Sequence, residues 1–144
     1  MKLISQLLTL LNQRYFAPLV AALVYGLWAG WVNSEHGIDT GIRVGLVQAA
    51  YAFLSTLTVA EAAKWMYSRI TPSFVHLTLT FLATFFVMLA IPLAVHSIAN
   101  TPDIMEAILP GLLWGSLYVL VLLIHLDRIA RPSVWRRLSG ISNR

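Results

Sequence analysis

Three titratable side chains, one carboxyl group and two imidazoles, stand close to the ends of apolar segments in this chain. Glu61 lies in the stretch TLTVAEAAKW, and His76 and His125 lie near the ends of the next two apolar runs. At 1.5 Å per residue, all three are within about one to two helical turns of the same predicted membrane surface. A carboxyl group in a partly dry pocket holds its proton more tightly, and a nearby imidazole can exchange protons with it. With Thr80 one turn beyond His76, these residues predict a proton-linked ion or substrate site.

A second interpretation of Glu61 needs no site. Lys64 follows three residues later, so the two side chains can pair on a helix surface. Near an interface both can also extend toward water, and the two histidines can contact lipid headgroups. The property that distinguishes the two interpretations is whether Glu61 faces protein or headgroups.

The segment WVNSEHGID contains a weaker candidate site. Glu35, His36 and Asp39 are residue types that bind divalent ions, and His96 is expected at the same level of the molecule. Their spacing matches no established metal motif, and a short acidic loop needs no metal. We therefore expect neither a metal nor a cofactor.

The composition predicts a membrane protein. Of the 144 residues, 58% are hydrophobic and 11% are charged, whereas soluble domains are about 25% charged. Because roughly 20 apolar residues cross a bilayer as a helix, four runs qualify as spans. They are residues 15–32, 44–63, 74–98 and 107–126. We predict an all-α integral membrane four-helix bundle that forms a single transmembrane domain over residues 1–144.

The basic residues orient these spans. Nine of the ten lysines and arginines fall on one predicted side, and Arg43 is the single base on the other. The positive-inside rule therefore places both termini in the cytoplasm of a bacterial-type inner membrane. The basic tail, residues 127–144, is expected to bind anionic lipid headgroups.

The N-terminal sequence MKLISQLLTLLNQ forms a separate element. Plotted at 100° per residue, its leucines and Ile4 fall on one side and its polar residues on the other. This segregation predicts an amphipathic helix over residues 2–13 that lies in the cytoplasmic interface. A cleaved signal peptide is the alternative, but no small-residue cleavage site precedes Ala17.

Small residues four positions apart predict where the helices approach closely. The predicted helix-packing glycines form one pair in each of three spans: Gly26 and Gly30, Gly41 and Gly45, and Gly111 and Gly115. All six fall in the outer half of the predicted membrane. We therefore expect a bundle that is tight at its outer end and looser toward the cytoplasm.

The remaining features limit the function. The chain has no cysteine and no phosphate-binding or nucleophile motif, so we expect a protein that is not an enzyme and binds no nucleic acid. The favoured function is a homo-oligomeric or accessory structural subunit, which assembles with itself or with a larger membrane protein. The alternative is a small oligomeric transporter or channel with an inward-facing site at Glu61, His76 and His125. An enzyme acting on lipid has only the histidines and acids to support it.

Overall fold

The computed structural model describes residues 15–69 and 71–138. Its long helices, joined by short turns, are α1 (Phe16–Val32), α2 (Ile38–Tyr67), α3 (Phe74–Ile98) and α4 (Ile104–Ala130), followed by the short α5 (Pro132–Leu138). The described residues contain no β-strand, which confirms the all-α prediction for this part of the chain. The predicted interfacial helix at residues 2–13 lies outside the described residues, as does the tail beyond Leu138.

Three of these helices, α2, α3 and α4, are long and apolar enough to cross a membrane by length and composition. The fourth, α1, is equally apolar but has 17 residues, which gives it a length of about 26 Å against a hydrocarbon core of about 30 Å. Large apolar side chains such as Leu27 and Leu79 are exposed on the outside of the helices. These features indicate a membrane protein.

Helices α2 and α4 extend beyond the apolar runs that the sequence marks, whereas α3 has the predicted bounds 74–98. Helix α2 begins at Ile38 and ends at Tyr67, although its apolar run covers only residues 44–63. Gly37, with a φ of +109°, ends the preceding turn and lets α2 start there. Asp39 lies in the first turn of α2, where a negative charge interacts favourably with the helix dipole. The residues that flank the apolar run therefore extend α2 on both sides of it.

Consecutive helices lie side by side and run in opposite directions. Helix α1 packs most closely on α2, whereas α4 contacts α1, α2 and α3. At one end the indole of Trp28 donates to the carbonyl of Glu106 across α1 and α4 at 2.8 Å. We call this end, where Glu35, Asp39, Asp103 and Glu106 lie, the acidic end. The opposite end, where Lys64, Arg69 and Arg128 lie, is the basic end.

Glycine allows the close approach of α1 and α2. A Cβ atom on Gly26 would stand 2.8 Å from Cβ of Ala49 and 2.9 Å from the carbonyl oxygen of Gly45. A Cβ on Gly41 would stand 2.8 Å from the carbonyl oxygen of Gly30. These distances are shorter than carbon atoms tolerate, so this backbone contact requires glycine. Four of the predicted packing glycines thus lie in one interface, toward the acidic end.

Candidate functional site

A buried carboxylate near the basic end is surrounded by hydrogen-bond donors. Asp127, at the end of α4, is fully buried. Its Oδ1 accepts from the hydroxyl of Tyr67 at 2.5 Å and from Nε of Arg131 at 2.8 Å. Its Oδ2 accepts from Nη2 of Arg131 at 2.5 Å and from the indole of Trp135 at 2.7 Å. We call these four residues the Asp127 cluster, and they join α2, α4 and α5.

The chain reverses locally to make this cluster possible. Arg131 has φ −129° and ψ 58°, so it leaves the helical conformation, and Pro132 then starts α5. The Arg131 guanidinium also lies 4.2 Å from the centre of the Phe74 ring. The hydrogen bonds to Asp127 raise the pKa of Arg131 above its ordinary value, so the cation persists at every physiological pH. The buried acid is thereby paired with a permanent positive charge.

His76 adjoins the Asp127 cluster. Its ring is buried and stacks on Tyr67 with 4.9 Å between the ring centres. Its Nε2 lies 2.8 Å from the backbone carbonyl of Tyr67, and because a carbonyl only accepts, Nε2 must donate. Nδ1 then faces the hydroxyl of Thr80 at 3.5 Å. The structure therefore brings together His76 and Thr80, two of the four residues predicted for the proton-linked site.

The other two predicted residues lie elsewhere. Glu61 is 73% exposed, and its Oε1 accepts from Nζ of Lys64 at 2.8 Å, as in the surface-pair interpretation. His125 is also exposed. Glu61 lines the cavity between α1, α2 and α4, whereas the acid linked to His76, through Tyr67, is Asp127. The structure does not assemble Glu61, His76 and His125 into one site.

Sequence reasoning assigned Asp127 to the basic tail and missed its burial. A signal was present in the spacing of Asp127 and Arg131, because opposite charges four residues apart pair at a helix surface. The partner that explains the burial, Tyr67, is 60 residues away in the sequence. No local pattern identifies such a pair.

At the acidic end, His96 belongs to the interior. It is fully buried, with Nε2 2.7 Å from Oε1 of Gln48 and Nδ1 2.9 Å from Oγ1 of Thr101. Since the amide oxygen only accepts, Nε2 donates to Gln48 and Nδ1 accepts from Thr101. His96 thus links α2 to the end of α3, separately from Glu35 of the loop and Asp39 of the first turn of α2, which are both exposed.

His36, the remaining residue of the weaker candidate site, pairs with an acid of the other loop at the acidic end. His36 Nε2 lies 2.7 Å from Oδ2 of Asp103. The backbone N–H of Asp103 donates to Oδ1 of Asn33 at 3.0 Å, and Asn33 Nδ2 donates to the carbonyl of Ala29. These bonds hold together the two loops at the acidic end. Among residues 15–69 and 71–138, no three His, Asp or Glu side chains are grouped as metal ligands would be.

A cavity of about 830 Å³ extends between α1, α2 and α4, with Met88 and Pro92 of α3 contributing to its wall. It reaches from Gln48 to Glu61 and Lys64, in the direction of the basic end. The uncharged polar side chains of α2 that line it are Gln48, Tyr51, Ser55 and Thr56. Glycine thus closes the contact of α1 with α2 toward the acidic end, and the cavity lies beside it, from the level of Gln48 toward the basic end.

The two glycines of α4 line this cavity. A Cβ on Gly111 would stand 3.6 Å from Nε2 of Gln48 and 3.8 Å from the ring of Tyr25. A Cβ on Gly115 would collide with the methyl group of Met88. Both glycines thus meet side chains, whereas a Cβ on each of the α1 and α2 glycines would stand 2.8–3.0 Å from a backbone carbonyl oxygen. Their effect is to leave space in the cavity.

An apolar groove of about 790 Å³ adjoins the cavity on the outside of α1 and α4. The two spaces share four lining residues, Ala17, Ala21, Tyr25 and Trp114. Trp114 is 64% exposed, and the described residues offer its indole N–H no hydrogen-bond partner. An aromatic donor is therefore presented halfway along α4.

Comparison of the chain with protein-family models, with curated proteins and with solved structures gave no match.

Proposed function

We propose that this chain is a non-enzymatic subunit of a bacterial-type inner membrane, where it assembles with copies of itself or with a larger membrane protein. In this proposal it crosses the membrane four times as a helix bundle, with both termini in the cytoplasm. The observation that carries the proposal is the environment of Trp114.

Trp114 lies ten residues inside α4, far from either end of the helix. Hydrocarbon cannot accept a hydrogen bond, so an indole N–H that faces lipid at this depth remains unsatisfied. An exposed tryptophan offers a large rigid surface, and tryptophan is enriched among the residues that dominate protein interfaces. A neighbouring protein that supplies an acceptor would satisfy the N–H and bury the ring.

The use of the buried polar groups supports a scaffold. Asp127 bonds to groups from α2 and α5, and His96 bonds to Gln48 of α2. Each of these bonds fixes one helix relative to another. The bundle thereby presents its outer surface in a defined geometry, which recognition by a partner requires.

The charge distribution supports the orientation. Lys64, Arg69 and Arg128 lie at the basic end together with Arg131 and Arg136, whereas Arg43 is the single base toward the acidic end in the described part of the chain. In the proposed orientation the basic end faces anionic cytoplasmic headgroups. Arg43 donates to the carbonyls of Ala99 and Asn100, so it serves to cap α3.

Photocrosslinking in the native membrane tests this proposal. A photoreactive benzophenone amino acid is placed at Leu117, an exposed residue one turn from Trp114 on α4, and, in a control, at Phe86, which is exposed on α3. The Trp114 indole is kept in both proteins. We expect a protein adduct of discrete mass from position 117 and none from position 86. The adduct mass distinguishes a second copy from another protein. Adducts with lipid alone at position 117 would overturn the proposal.

A further inference from the structure

We propose that the cavity between α1, α2 and α4 binds a membrane-soluble molecule with an uncharged, oxygen-bearing head and a hydrocarbon tail. Its volume of about 830 Å³ lies within the range of small-molecule sites, about 300–1,000 Å³. This inference goes beyond the assembly role, because it concerns the interior of a single copy.

Gln48 supplies a hydrogen-bond donor to this cavity. Its side chain is 1% exposed, and its Oε1 is engaged by His96. The amide nitrogen of Gln48 is therefore directed to the other side, toward Gly111, where a Cβ would stand 3.6 Å from it. Because Gly111 has no side chain, nothing on α4 covers the amide nitrogen there, and a ligand oxygen in the cavity can approach it and accept from it.

Tyr25 supplies a second donor. Its ring lies beside Gly111 and lines the cavity, and the described residues provide its hydroxyl with no hydrogen-bond partner. Both donors are neutral, and they come from different helices, α1 and α2. A carbonyl or hydroxyl oxygen can accept from them without the cost of burying a charge.

The adjoining groove provides space for the tail. It runs along α1 past Val20 and Val24 toward Leu27 and is lined almost entirely by apolar side chains. The cavity and groove meet at Ala21 and Tyr25, so one molecule can extend from the donors to the lipid-facing surface. At Val20 and Val24 a hydrocarbon chain packs on α1 and faces lipid, beside the α4 surface at Trp114 that the proposed partner covers.

The charges around the cavity favour an uncharged head. Glu61 and Lys64 are the charged residues that line it in the described part of the chain, and they pair with each other at 2.8 Å. A pair of opposite charges leaves little net potential to attract an ion. Isoprenoid-type quinones and neutral glycerides both offer the required chemistry.

The proposal is tested with a benzoquinone that carries a decyl tail and with the purified full-length protein in nanodiscs. Binding of the quinone is measured by quenching of tryptophan fluorescence. Ala21→Phe fills the junction of cavity and groove and should weaken binding at least tenfold. Tyr25→Phe removes one hydroxyl and should weaken it about three- to tenfold. Ala94→Phe adds the same ring on the exposed face of α3, away from the cavity, and should leave the affinity unchanged.

Competition identifies the head. Displacement of the quinone by monodecanoyl glycerol, but not by decyl phosphate, supports the proposal. Whichever of the quinone and the monoglyceride binds more tightly indicates whether the natural ligand is a quinone or a glyceride. Equal displacement by decyl phosphate would overturn the uncharged head. Quenching that does not saturate, or equal affinity in the wild type and both cavity variants, would overturn the site. Binding that occurs only after removal of a co-purifying protein would assign the cavity to that protein and overturn the proposal.

Discussion

The hydroxyl of Tyr67 donates a 2.5 Å hydrogen bond to Oδ1 of Asp127. The two residues lie at the ends of α2 and α4, and both are buried. Through this bond the carboxylate links α2 to the guanidinium of Arg131 and the indole of Trp135. The packing of the helices at the basic end therefore depends on Asp127, an acid that the sequence alone places in the basic tail.

Loss of this acid should strongly destabilise the fold. In Asp127→Ala the Arg131 cation, the Tyr67 hydroxyl and the Trp135 indole all lose their acceptor. Breaking a buried ion pair on one side costs about 3–5 kcal/mol, and we expect a loss of that size in the free energy of unfolding. Titration from mild detergent into SDS, followed by tryptophan fluorescence, measures it. A loss below 1 kcal/mol would contradict the role of the cluster.

Glu61→Gln provides the matched control at an exposed acid. Its ion pair with Lys64 lies on the surface, where such pairs contribute about 0–1 kcal/mol. We therefore expect little change in the free energy of unfolding and no change in assembly. If Glu61→Gln abolished a pH-dependent solute flux in proteoliposomes, the transporter alternative would gain support over the subunit role.

The glycine interface predicts opposite results for the same substitution at two positions. Gly26→Ala places a methyl group 2.8 Å from Ala49 and 2.9 Å from a backbone oxygen, so α1 and α2 must separate. We expect a loss of about 1–3 kcal/mol in the free energy of unfolding. Gly111→Ala meets its nearest atom at 3.6 Å, and alanine favours the helix by roughly 0.5–1 kcal/mol. Equal destabilisation by both substitutions would contradict the backbone contact between α1 and α2.

Several parts of this fold were predictable because they depend on local composition. Apolar length located the long helices, since hydropathy requires no knowledge of partners. The helix ends were less predictable, because polar residues such as Asp39 continue a helix when its backbone is satisfied there. The small residues at Gly26 and Gly45 identified an interface but not which helices form it.

The candidate site was harder to predict than the helices. Depth along the helix axis placed Glu61, His76 and His125 at one level, but depth does not give rotation about each axis. A rotation that exposes Glu61 buries Tyr67, six residues later, against Asp127. Contacts between residues 60 apart are determined by tertiary packing, and one sequence contains no direct signal of them.

The bond between His96 and Gln48 should be measurable as a coupling energy. We expect His96→Ala and Gln48→Ala each to destabilise the protein, and the double substitution to cost less than their sum. Hydrogen bonds between membrane helices couple by about 0.6–2 kcal/mol. A double-mutant cycle on the free energy of unfolding gives this value. Strict additivity would show that the 2.7 Å contact contributes no coupling.

The most direct test of the subunit role is native mass spectrometry of the protein, extracted gently from its own membrane, beside its Trp114→Leu variant. We expect the wild type in a complex of defined stoichiometry, with further copies or with a second protein, and the variant largely released from it. A wild-type chain that appears alone, with lipid as its only companion, would contradict the proposed assembly.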